Sequence, residues 1–325
     1  EIVCDRCLDG LPLSPNLKVI AACNPYLKLP QSAIDKQEAM GLGFRSDDIE
    51  SLDGIPLRHL VYRVSKLPDS MLHHLWDFGT LTAEVESTYI RLIVNSESSL
   101  KAESNEVRCF SALIQTSQRY MRQLGGESSF VSMRDYRERA IPVFKFFTSF
   151  FTNAKSDIDA LAADPGFVGS RIISSPCTLN DSFRCMFLSL YFSYESRLND
   201  LKRRTEYRLY LAQEFLSSHA SKLGVTKCMT SIQLAREMEN DVTFFQDLLM
   251  CEMKLPEGIA SCSMLKENVM MMAICIELNI PLFLVGKPGT SKSLAKKLVS
   301  EAMKGNRSCA RLFRHLKCAT LFSYQ

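Results

Sequence analysis

The sequence has no apolar run of the ~18–20 residues that a membrane span needs. Its longest candidate, Val269 to Ile276 and on through Ile280, is interrupted by Glu277 and Asn279. Glycine and proline are sparse, at 14 and 12 of 325 residues, and no low-complexity stretch occurs. That excludes collagen-like, coiled-coil and disordered classes. Charge of one sign is missing too: the formal net charge is +3, which leaves no field to gather nucleic acid or a membrane surface. No G-x-S-x-G, H-E-x-x-H or dinucleotide fingerprint is present, so the common hydrolase, zincin and dehydrogenase signatures are absent.

What is present is a chain with 46% hydrophobic residues, enough for a sizeable core and two or three domains. Glu1 opens directly into an apolar-rich segment, and residues 320–325 read as a strand just begun. The expectation is a segment of a longer polypeptide. The 12 cysteines are scattered, and Cys23, Cys185, Cys251 and Cys275 sit among apolar neighbours. They read as small hydrophobes in a reducing, cytosolic setting. Cys4 and Cys7 have metal-ligand spacing, but no second pair follows to complete a zinc site.

Leu17-Lys18-Val19-Ile20-Ala21-Ala22-Cys23, closed by Asn24-Pro25, reads as a buried strand. Leu60-Val61-Tyr62-Arg63-Val64 reads as a second, followed by a helix through Leu75 and Trp76. Residues 31–53 read as a loop. From 70 to 153 the pattern is mostly helical, with breaks near 96–104 and at Gly125-Gly126. Phe187, Tyr191, Tyr194, Leu198 and Leu201 recur at helical spacing. Helix packing accounts for that stripe more cheaply than a cofactor wall does. A helical pattern runs from Phe244 towards Lys254, and the segment from Met264 to Leu278 is apolar nearly all round, which argues for burial between layers. His73, His74 and Asp77 supply too few ligands for a metal site.

The sharpest signal lies at Pro281-Leu282-Phe283-Leu284-Val285, then Gly286-Lys287-Pro288-Gly289-Thr290-Ser291-Lys292-Ser293, then Leu294-Ala295-Lys296-Lys297-Leu298-Val299. A strand, a loop of small residues and a helix in that order are what a nucleotide phosphate loop requires. Gly286, Gly289, Thr290 and Ser291 let backbone amides curl around phosphates, and the helix N-terminus favours negative charge. Lys292 would reach the β- and γ-phosphates, and the Ser293 hydroxyl would bind Mg²⁺. The pattern departs from G-x-x-x-x-G-K-[ST] in one place, Ser291 for Gly.

Together with Ala21-Ala22-Cys23-Asn24-Pro25-Tyr26, Trp76-Asp77-Phe78-Gly79, Phe130-Val131-Ser132-Met133-Arg134-Asp135 and Leu312-Phe313-Arg314-His315-Leu316-Lys317, this loop resembles the mysterin family. That family comprises giant, dynein-like AAA+ ATPases that are also RING-type ubiquitin ligases. The resemblance implies a mixed α/β and α fold, with partial AAA+ P-loop NTPase units at both ends joined by a helical lid and linker. Residues 1–66 would end one large subdomain, 67–165 form its lid, 166–262 a helical linker, and 263–325 begin the next unit.

The resemblance implies ATP and Mg²⁺ as cofactors and other AAA+ units of the same chain as partners. It also implies a ubiquitin-conjugating enzyme and ubiquitin, engaged through regions outside this segment, and a cytosolic location with lipid-droplet association. Asn24 matches a γ-phosphate sensor, Arg134 a lid arginine and Arg58 an arginine finger in a divergent loop. On residue chemistry alone, Asn24 can also be read as an Asn-Pro turn and Arg134 as a surface helix charge or cap partner. A non-hydrolysing ATP-binding scaffold and a helical interaction module stay open as alternatives. No RING cysteine–histidine array occurs, and the segment is expected to be inactive alone.

Overall fold

In the computed structural model the described residues are 2, 5–32, 34–35, 51–52, 55–56, 59–62, 64–79, 81–124, 131–162, 181–198, 200–218, 229–251, 253, 255–286 and 288–303. They fall into two compact units, Glu1–Thr82 and Ala83–Gln325.

The first unit has little regular structure. Strands β1 (Cys7–Leu8) and β2 (Leu11–Pro12) pair antiparallel across a turn. In that turn Asp9 and Gly10 both take positive φ, as a tight hairpin requires. β3 (Ser51–Leu52) and β4 (Ile55–Pro56) pair likewise, and Lys28 makes a single antiparallel bridge to Leu60. The expected strand around Val19 joins no ladder among the described residues, and Ile20 is 95% exposed. The second expected strand, around Val61, contributes only the bridge at Leu60. Apolar runs of this kind are buried only when neighbouring strands cover both faces, and none does so among the described residues. The helix expected through Leu75 and Trp76 is a 3-10 turn, Asp69–His74, that buries nothing.

The second unit is helical, and the expected helices are here. α1 (Ala83–Glu97) and α2 (Asn105–Gln123) pack together. The connection between them ends at Ser104, whose hydroxyl accepts the Val107 N–H and caps α2. Glu86 of α1 takes both guanidinium arms of Arg122 on α2, at 2.5 and 2.6 Å. Next come α3 (Ile141–Asn153), α4 (Lys155–Ala162), α5 (Asp181–Ser193), α6 (Leu201–Ser218), α7 (Ser231–Met250), α8 (Ser263–Glu277) and α9 (Lys292–Met303). α7 starts on a full capping box, Thr230 with Gln233.

α5 is the centre of the unit. It is buried from Cys185 through Ser193 and packs against α2, α3 and α7. A helix apolar on every side can sit only in such a position. The stripe expected to run from Phe187 to Leu201 is therefore split. α5 stops at Ser193, a 3-10 turn covers Glu195–Arg197, and Leu201 opens α6 fully exposed. Aromatic rings from α3 and α7 lock the layer: Phe147 and Phe150 both meet Phe245 edge-on, at 4.9 and 5.5 Å. α8 lies between α7 and α9, as its apolar composition predicts.

Cys185 and Cys275 are buried, but Cys23 and Cys251 are exposed. Local apolar sequence did not guarantee cover in an extended segment or just past a helix end. Cys4, Arg58, Arg63, Lys287 and residues 304–325 lie outside the described residues, and with them the strand expected at the C-terminal end. Among the described residues no helix is long and apolar enough to cross a membrane.

Candidate functional site

α9 starts directly from the loop. The Ala295 N–H donates to the Ser291 carbonyl at 2.9 Å, making Ser291 the residue on which the helix begins. The amides of a first helical turn point out of the helix end and carry its positive dipole. The turn before them is formed by two left-handed residues, Gly289 (φ 85°) and Ser291 (φ 57°). Glycine reaches that region at no steric cost, whereas serine does so with strain.

Lys292 does not point into solvent. Its ammonium swings back into the loop and donates to the Gly286 carbonyl at 2.7 Å and to Thr290 Oγ1 at 2.8 Å. Gly286 has no Cβ for a structural reason. A methyl there would stand 3.0 Å from Thr290 Oγ1 and 3.6 Å from Lys292 Nζ. The loop is thus a cradle in which the Lys292 ammonium turns towards Gly286 and Thr290 and whose shape a side chain added at Gly286 would disturb. Gly286, Gly289, Thr290, Ser291 and Lys292 form this turn, and Ser293 is exposed at the second residue of α9.

Two findings on this loop were not legible. The preceding run, 281–285, joins no ladder among the described residues, with Phe283 90% and Val285 69% exposed and Leu282 and Leu284 half-buried. The expectation that Leu284 lies in a buried sheet layer is therefore not met among the described residues. The second is Asn268. From α8, 22 positions before Thr290, its Nδ2 donates to the Thr290 carbonyl at 3.0 Å. No spacing rule links a mid-helix asparagine to a loop so far along the chain.

Asn24 lies in the first unit, exposed, directly ahead of Pro25. Arg134 lies in the second, exposed, on the first turn of a helix. That turn is well built. The Ser132 N–H donates to Asp135 Oδ2 at 2.6 Å, and Ser132 Oγ accepts the Arg134 N–H at 3.3 Å, a reciprocal cap. Asp135 is held in addition by the Arg197 guanidinium. The helix then widens to π-type over Asp135–Ala140, ahead of Pro142, which has no N–H to offer the preceding turn. Arg134 is thereby presented outward from a fixed base. Among the described residues no group of three or more His, Cys, Asp or Glu is placed to hold a metal ion.

A family model described as the RNF213 AAA domain matches residues 258–325, the stretch that contains α8, the loop and α9. The chain is 37% identical over 332 residues to the E3 ubiquitin-protein ligase RNF213 of Homo sapiens, covering 100% of this chain and 6% of that protein. It is 37% identical over 331 residues to the Mus musculus protein of the same name, again 100% and 6%. Against E3 ubiquitin-protein ligase rnf213-beta of Danio rerio the identity is 36% over 335 residues, with the same coverage. The chain belongs to the mysterin family. It spans about 6% of the length of these relatives. Within the family match, AAA-domain sequence coincides with the cradle built by Gly286, Thr290 and Lys292.

Proposed function

We propose that residues 286–293 bind the phosphates of ATP with Mg²⁺, as part of the AAA+ motor core of a mysterin-type E3 ubiquitin ligase. The observation that carries this reading is the inward-facing Lys292 ammonium, 2.7 and 2.8 Å from the Gly286 carbonyl and the Thr290 hydroxyl. A lysine held by a carbonyl and a hydroxyl at a helix start is matched to phosphate oxygens, which offer it stronger, charge-assisted bonds than a carbonyl does. Binding would exchange its bonds to Gly286 and Thr290 for phosphate contacts. The first-turn amides of α9 would complete the cradle. Ser293 would hold Mg²⁺, whose role when bound is to neutralise charge between the β- and γ-phosphates.

On this reading residues 263–325 begin one AAA+ unit, residues 1–66 end the preceding one, and 67–165 and 166–262 are its lid and a helical linker. Asn24, Arg134 and Arg58 would then serve the preceding unit: Asn24 orienting water, Arg134 coupling hydrolysis to the lid, Arg58 reaching a neighbouring site as a finger. Ubiquitin transfer would use other regions of the intact protein, in the cytosol.

Lys292→Ala in the intact protein is the test. Loss of a charge-assisted contact worth about 1.5–3 kcal/mol should weaken ATP·Mg²⁺ binding at this unit roughly tenfold to a hundredfold. Amide hydrogen exchange of the peptide covering 286–303, titrated with nucleotide, reads the site directly. Unchanged protection in the variant would refute the phosphate loop.

A further inference from the structure

Resting on the phosphate-loop reading, we propose that Asn268 is a positioning residue for that loop, setting its shape from α8 before any nucleotide arrives. The argument starts from three consecutive residues. Lys266, Glu267 and Asn268 follow one another on α8, so they leave the helix at successive steps of about 100°. Each finds a different neighbour. Lys266 Nζ pairs with Asp247 Oδ1 of α7 at 2.5 Å. Glu267 Oε1 accepts from Arg204 of α6 at 2.9 Å and from the Tyr191 hydroxyl of α5, also at 2.9 Å. Burial holds the Tyr191 hydroxyl well above the ordinary tyrosine range, so it stays a donor to that carboxylate. Asn268 Nδ2 reaches the Thr290 carbonyl at 3.0 Å.

The first two contacts fix α8 against the helical core, and the third extends that fixed frame to the loop. Thr290 is the residue through which the loop is organised. Its hydroxyl accepts the Lys292 ammonium, its Oγ1 limits what fits at Gly286, and the strained Ser291 follows it directly. A left-handed serine persists only where its surroundings over-determine it. The peptide between Thr290 and Ser291 carries the carbonyl that Asn268 holds, so the asparagine resists rotation of the peptide plane on which the Ser291 conformation depends. Only an amide or similar donor can do this. A carboxylate of the same shape would face the Thr290 carbonyl with a second acceptor.

The test is Asn268→Asp in the intact protein, beside Lys292→Ala and the unaltered chain. The readout is amide exchange of peptides from 286–303 and, for reference, from 105–123 and 231–250. Without nucleotide, exchange in Asn268→Asp should quicken around 288–295 and stay unchanged in the two reference helices. With ATP·Mg²⁺, the midpoint of protection should rise about tenfold, from the loss of one hydrogen bond and the new repulsion. Adenosine, tested in parallel, should show no added weakening, because it offers the loop no phosphate. Should Asn268→Asp fail to fold, Asn268→Ala removes the donor without adding charge and is read the same way.

Unchanged ATP protection in Asn268→Asp while Lys292→Ala loses it would overturn the positioning role and leave the phosphate loop standing. Exchange quickening equally in the reference helices would also overturn it, since that marks a general structural role. Protection that survives Lys292→Ala would instead remove the phosphate loop itself.

Discussion

Ser291 shows most clearly how one residue carries the tension between shape and chemistry. It occupies φ 57°, where a Cβ costs about 1–2 kcal/mol, at the position where the general phosphate-loop pattern has glycine. Ser291→Gly removes that strain but gives the unfolded chain more freedom, so nucleotide affinity should stay within about twofold. Ser291→Val is the opposite case. A β-branched residue at positive φ is a genuine outlier, and binding of ATP·Mg²⁺ should fall by about tenfold or more. Titration of loop protection in the two variants checks the pair, and equal affinities would mean that backbone conformation here does not govern binding. At this scale the sequence was informative where chemistry is local. Gly286, Gly289 and Lys292 were legible because residue type and order alone define the motif. Asn268 was not, because its role is a tertiary contact made across a helix, an extended segment and a turn.

At the scale of elements, the helices of the second unit were legible and the strands were not, for one physical reason. A helix satisfies its backbone internally, so capping residues and a 3.6-residue period are enough to mark it. Ser104 before α2 is such a marker. A strand is defined by its neighbours, and the runs around Val19, Val61 and Leu284 carried the right composition without a described ladder to join. Helix ends were the weaker part of the reading: the stripe through Leu201 crosses the 3-10 turn Glu195–Arg197, which apolar spacing alone does not reveal.

That turn is held by a buried pair. Arg208 of α6 donates through Nε to Glu195 Oε1 at 2.7 Å, and its other arm reaches Glu239 of α7 at 2.8 Å. Burial pushes the Glu195 carboxyl upward, against the pull of Arg208. Removing one partner of such a pair strands a charge in the core and costs about 3–5 kcal/mol, whereas replacing both with apolar groups is often neutral. Arg208→Met should therefore destabilise the chain more than Arg208→Met combined with Glu195→Leu. Urea unfolding of the three proteins decides it. A double variant less stable than the single would show that the pair itself stabilises these elements.

For the second unit as a whole, the core contains a proton-linked group. Asp241 of α7 is 4% exposed, its Oδ1 accepts Arg184 Nε at 2.9 Å, and its Oδ2 has no hydrogen-bond partner among the described residues. Burial, only partly offset by Arg184, raises its pKa from 3.8 to about 6, with Glu237 and Asp181 adding to the rise. The folded state therefore holds this proton over a range where the unfolded chain has released it. More protons bound in the folded state means that stability falls as pH rises. The contribution is fully present below about pH 4 and is lost as pH climbs through about 6, a change on the order of 3 kcal/mol by the size of the shift. The contribution of Asp241 is read as a difference between two proteins, so that whatever else depends on pH cancels. Asp241→Asn keeps the acceptor for Arg184 and cannot ionise. Relative to the unaltered chain, it should gain stability steadily from pH 4 to pH 7 in urea titrations at matched ionic strength. Parallel pH profiles for the two proteins would show that the buried carboxyl titrates alike in the folded and unfolded states, and that Arg184 compensates its burial in full.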